Sequence, residues 1–183
     1  MQDYLMTLLG GLAITLQLTA FSLLLGVLMA AGMTWVLERR IPVVTQLVQL
    51  WVLVFTGTPL LIQIFLIYYG PGQFEWLKAG PLWPLLKQPW FCAVLALGFN
   101  TAAYSTRLFK GALDAIPAGE VEACRALGFS AGQTLWMKAR HAARRLVPAY
   151  SNEVILVLKG SSLASTITIM DIMGLAQRLN AQT

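Results

Sequence analysis

Apolar residues dominate the chain in long blocks, and charged residues fall almost entirely between the blocks. Leu12–Leu37, Val43–Tyr69 and Trp90–Phe109 each reach the roughly 20 mostly apolar residues that a helix needs to cross about 30 Å of hydrocarbon, with few or no charges inside. A fourth block, Val147–Met170, is long enough but carries polar residues within it. The expected fold is therefore all-α, a polytopic transmembrane bundle forming one domain over residues 1–183, with a polar segment over about 117–145 between the third and fourth spans.

Composition agrees: 57% of residues are hydrophobic and 11% charged, too little polar surface for a water-soluble globule of this size. The N-terminal stretch lacks the basic region and cleavage site of a signal peptide, so the first span is expected to be retained. Cys92 lies in a span and Cys124 in a basic loop, which suggests packing residues and neither a disulfide framework nor a metal site.

Lysines and arginines divide unevenly between the loops. Arg39 and Arg40 follow the first span, and Arg107, Lys110, Arg125, Lys138, Arg140, Arg144 and Arg145 cluster around the loop after the third. The second loop holds only Lys78 and Lys87. The positive-inside rule puts the first and third loops in the cytoplasm, with the N-terminus, the second loop and the polar ending Asn180–Thr183 outside. Without aromatic interleaving or a binding motif, the basic loop is not read as a nucleic-acid site.

Within that loop, Ile116-Pro117 ends a helix, Glu120 and Glu122 suit the next N-terminus, and Gly128 supplies a left-handed stop. Ser130-Ala-Gly-Gln133 has the capping-box pattern of a second helix. Two short surface helices are expected, and residue physics alone leaves an ordinary surface loop as the alternative.

Several motifs now carry a resemblance. Glu122-Ala123-Cys124-Arg125-Ala126-Leu127-Gly128 resembles the cytoplasmic signature loop of ABC importer permeases. Phe55-Thr-Gly-Thr-Pro-Leu-Leu-Ile-Gln63, Asn100-Thr-Ala-Ala-Tyr-Ser105, Gly111-Ala112, Ile116-Pro117 and Pro148-Ala-Tyr-Ser-Asn-Glu153 are similar to motifs of the histidine/glutamine/arginine branch, and Phe65–Phe74 looks like that of arginine-system permeases. Two departures stand out. Lys138-Ala-Arg-His141 replaces the family's Ile-x-Leu-Pro, and the usual fifth span is expected to be missing from this sequence.

The resemblance implies a type I importer permease in a bacterial inner membrane. Its implied partners are ABC ATPase subunits, the same or a sister permease, and a periplasmic or extracellular amino-acid-binding protein. It implies a basic amino acid as cargo, arginine first, with histidine, lysine or glutamine as alternatives. Glu122, Ala123, Arg125 and Gly128 would then form the coupling element against the ATPase, although Glu122 and Arg125, three apart, can equally pair with each other.

No G-x-x-x-x-G-K-S/T phosphate loop is present, so ATP and Mg belong to the partner, and no cofactor or catalytic residue is expected in this chain. The single histidine, His141, has no ligand cluster around it and reads as a surface residue. An ion channel, which needs a pore-lining ring of charges, and an intramembrane enzyme, which needs paired catalytic groups, are the rivals from other classes, and the serious rival is a structural permease half whose sister subunit holds the substrate.

Candidate pathway residues are those that are polar or break the helix inside the membrane. A carboxylate near a helix centre costs about 2.5–3.5 kcal/mol on insertion scales, so Glu153 should face the bundle interior. Lys159 is about 600° further round the helix, on another face. Glu153 with its neighbour Asn152 either meets the cargo or pins packing, and Gly160, two turns on, would leave room for a ligand. Thr56-Gly-Thr-Pro59 interrupts the second span and either exposes carbonyls and the Thr56 and Thr58 hydroxyls to the path or only shapes a kink. Tyr104 and Ser105 carry the same expectation.

Overall fold

A computed structural model describes residues 2–181, so Met1 and the end of the polar C-terminal stretch, Gln182 and Thr183, lie outside the described residues. The long helix α1 (Gln2–Arg39) ends where Arg40 and Val43 adopt left-handed backbone angles around Pro42 and reverse the chain. Next come α2 (Val44–Gly57), α3 (Leu60–Tyr69), the single turns α4 (Glu75–Lys78) and α5 (Trp83–Leu86), α6 (Pro89–Asp114), α7 (Ala118–Ala126), α8 (Ala131–Gly160) and α9 (Ile172–Asn180). Among the described residues there are no strands, and the fold is the expected all-α bundle.

Helix α6 is the axis. It is covered by α1 along most of its length and by α2, α3 and α8 on its other sides. Ala93, Ala96, Leu97, Gly98, Ala102 and Ala103 are buried, and the small ones let neighbouring backbones approach. Gly26 of α1 is required for this: a Cβ there would lie 2.1 Å from the Thr101 methyl and 3.3 Å from the Ala102 nitrogen. The bundle's main apolar core gathers Leu18, Ile64, Ala93, Ala96, Ala164 and Ile167 from α1, α3, α6 and the 3-10 turn after α8.

The spans differ from the sequence reading in three ways. Only α1, over Met6–Arg39, is by itself long and apolar enough to cross a membrane among the described residues. The expected third span, α6, falls short because its sides meet other helices, which tolerate Asn100, Thr101, Ser105 and Thr106 where lipid would not. The second span is two helices bent by 108° at Thr58-Pro59.

The third difference concerns residues 131–170. The sequence suggested a short surface helix followed by a separate span from residue 147. Instead α8 runs unbroken for 30 residues from the Ser130 capping box through Pro148 to Gly160. A 3-10 segment (Ser161–Ile167) and a 51° bend then lead into α9. Proline inside a helix removes one hydrogen bond, yet the strong N-terminal cap and packing on α6 hold the helix on either side of it.

Gly26→Val should force α1 and α6 apart. Overpacking of this kind costs about 1–3 kcal/mol, and a lowered unfolding temperature of the detergent-solubilised protein, with Gly26→Ala intermediate, is the expected result.

Candidate functional site

The break between α2 and α3 generates the site. In an unbroken helix the Phe55 carbonyl would accept from the backbone amide of residue 59, but Pro59 has none. Side-chain amides replace it. Gln63 Nε2 donates to the Phe55 carbonyl at 2.9 Å and lies 3.0 Å from the Thr58 carbonyl and 2.8 Å from Thr58 Oγ1. Asn100 Nδ2, from α6, donates to the same Phe55 carbonyl at 3.1 Å and to Gln63 Oε1 at 3.0 Å. Beside this stitch Trp51 stacks on Phe55 at 4.3 Å and both meet Phe99 edge-on, fixing α2 against α6.

The Tyr104 hydroxyl reaches the Thr56 carbonyl at 3.4 Å. Both threonine hydroxyls are engaged as well: Thr56 Oγ1 donates to the Val52 carbonyl and Thr58 Oγ1 to the Val54 carbonyl. The freed carbonyls and the Thr56 and Thr58 hydroxyls are thus engaged within the fold, while Thr58 stays exposed. Inside the membrane an unpaired backbone group costs several kcal/mol, so the fold closes these groups with its own side chains.

On the other side of Asn100 and Tyr104 lies a cavity of about 220 Å³ walled by Leu60, Leu97, Leu156 and Val157, with Glu153 in its lining. Glu153 is 5% exposed, and the contact recorded for its carboxylate is a hydrogen bond from Thr101 Oγ1 at 2.5 Å. Thr101 is the residue against which Gly26 of α1 packs, so helix packing and the carboxylate are tied together. Lys159 is exposed, as the helix geometry required.

The other candidates fall elsewhere. Asn152 is exposed, one helical step of about 100° from Glu153. Ser105 is buried and faces the Tyr150 hydroxyl, and neither completes a hydrogen bond of normal geometry. Gly160 leaves no open room: a Cβ there would meet Leu60 at 3.0 Å and Leu97 at 3.6 Å, so the glycine admits the leucine wall and holds no ligand space of its own. Sequence reasoning assigned no role to Gln63, Asn100 or Thr101. The signal for the first two was present in Pro59, which orphans the carbonyl four residues before it.

At the far end of α8, Glu122, Ala123 and Arg125 are exposed on α7, while Cys124 is buried. Gly128 has φ +79° with open space around it, so it is there for its backbone angle. No ion pair joins Glu122 to Arg125 among the described residues. His141, a partly exposed surface residue of α8, lies 3.2 Å from Glu120 of α7.

A broken membrane helix beside a cavity that holds a single carboxylate is the architecture of a solute transporter. The family described as binding-protein-dependent transport system inner membrane component matches residues 22–180, and the chain belongs to that family. Relatives include the arginine ABC transporter permease protein ArtM of Haemophilus influenzae, 52% identical over 97% of this chain and 78% of the relative. ArtM of Escherichia coli K12 is 50% identical over 100% and 83%. The octopine transport system permease protein OccM of Rhizobium radiobacter is 41% identical over 96% and 72%. A crystal structure of an amino acid ABC transporter with histidines superposes with a TM-score of 0.87 at 28% identity, covering 99% of this chain and 81% of that one.

Gln63→Leu should strip the Thr58 carbonyl of its amide and leave Asn100 as the sole partner of the Phe55 carbonyl. A loss of about 1–3 kcal/mol is expected, read as a lower unfolding temperature in detergent. An unchanged midpoint would show that water replaces the amide.

Proposed function

We propose that this chain is the permease of an ATP-driven arginine importer, with Glu153 receiving the cationic end of the cargo. The observation that carries this reading is a carboxylate buried in a small cavity with one hydroxyl as its recorded partner. A buried charge is stable only when paired. A guanidinium entering beside Leu60, Leu97 and Leu156 supplies the missing charge, donates two parallel hydrogen bonds, and lays its methylenes on the leucines. Tyr104, in the same lining, adds an aromatic ring to the site. The names of the relatives support the cargo class, two of them being arginine permeases and one an octopine permease.

The family's description as binding-protein-dependent and the ABC permeases among the relatives support an ATPase and a solute-binding protein as partners. On the present reading α7 and the Gly128 turn sit against the ATPase, which holds ATP and Mg, and a second copy or a sister permease completes the pathway. ATP binding draws the ATPases together, α7 follows, and α8 carries the movement toward Glu153. Hydrolysis resets the cycle.

Glu153→Gln in the assembled transporter is expected to lower arginine uptake at least about tenfold, because the neutral amide cannot compensate a cation. Full uptake by the variant would hand cargo binding to the sister subunit. Gly128→Val places a β-branched side chain at φ +79° and should abolish stimulation of the ATPase by arginine-loaded binding protein while the complex still hydrolyses ATP at its basal rate. Stimulation of the native complex by another amino acid and not by arginine would overturn the cargo assignment.

A further inference from the structure

Three helices meet on one side chain where α1 ends. Glu38, in the last turn of α1, accepts from Lys138 of α8 through Oε2 at 2.5 Å and faces Lys110 of α6 through Oε1 at 3.2 Å. The Glu38 and Lys138 side chains are 14% and 17% exposed, so this is an enclosed contact and unlike the surface pair Lys78–Glu75. Lys110 also pairs with Asp114, but that contact stays within α6.

Around the ion pair α8 is held by apolar packing, by one hydrogen bond to the end of the α6 segment and by the His141–Glu120 contact with α7. Val121 of α7 and Ala142 of α8 pack with Leu113 and Ile116 at the end of α6, and Arg145 donates to the Ala115 carbonyl. Beyond them α8 continues as one helix to Glu153, fifteen residues after Lys138 and about 22 Å along the axis.

We propose that Glu38 is the pivot on which α8 turns when the coupling segment moves, with Lys138 as the positioning residue that converts displacement of α7 into movement of Glu153. The two carboxylate oxygens are used separately: one holds α6 to α1, and the other holds α8. An ion pair keeps most of its attraction through small changes of angle, whereas interdigitated apolar side chains must hop between packings. The α1–α6 contact therefore stays fixed while α8 tilts about Lys138. This rests on the reading of the chain as an ATP-coupled permease.

The test uses the complete transporter in lipid, with binding protein loaded in turn with arginine, lysine, histidine or glutamine. Coupling is the ratio of stimulated to basal ATP hydrolysis, measured with the amino acid that stimulates the native complex most. A wrong cargo assignment thus appears in the native complex, and a wrong pivot appears in the variants. Lys138→Met and Glu38→Gln are expected to lower the ratio at least about fivefold with basal hydrolysis within about twofold of native. Lys138→Arg should restore the ratio, and Asp114→Asn, which touches only the contact within α6, should leave it native.

A native ratio in Lys138→Met overturns the pivot. So does a loss that Lys138→Arg does not repair, or one that falls in step with basal activity and the unfolding temperature, because either marks the ion pair as structural glue.

Discussion

One backbone carbonyl, that of Phe55, has no amide to meet because the residue four places on is Pro59. In water such a group is satisfied by solvent; between packed helices it must find a donor in the protein. The donors come from two directions, Gln63 from the helix beyond the break and Asn100 from α6, and they also bond each other. This small network sets where α3 starts, holds the 108° bend, and places Leu60 against Gly160 and Leu97. The cavity wall follows from it, and Glu153, held by Thr101 of α6, lies in the lining of that cavity.

The class of fold was legible because membrane helices announce themselves by composition. The N-terminal helix, the break at Thr58-Pro59, the Ser130 capping box, the left-handed Gly128 and the inward Glu153 could each be read from local rules. What was not legible depends on long-range neighbours. The polar character of α6 makes sense only once it is seen to be enclosed on several sides, and hydropathy along one segment carries no information about its neighbours. The bonds of the Thr56 and Thr58 hydroxyls back into α2 likewise appear only once the bend is seen. Gly160 reads as space until the leucines that occupy it are known. The continuity of α8 through Pro148 was hidden for a similar reason, since proline weakens a helix locally and packing on α6 outweighs it.

The continuous α8 changes how the two functional ends relate. Had the segment after Gly128 been a short surface helix joined to a separate span, a flexible joint would lie between the Gly128 turn and the cavity. With one helix, the polar cap at Ser130 and the carboxylate at Glu153 belong to a single rod, modulated at Pro148 and tethered at Lys138. A displacement at one end is therefore carried to the other without a flexible joint between them.

Thr101 is pressed from behind by Gly26 and bonded in front to Glu153. The position behind it already carries the smallest residue there is, so nothing remains to be trimmed should position 101 grow. In evolutionary terms the carboxylate's hydroxyl partner is frozen in size, and change in the shape of the cavity is left to the aliphatic wall around it.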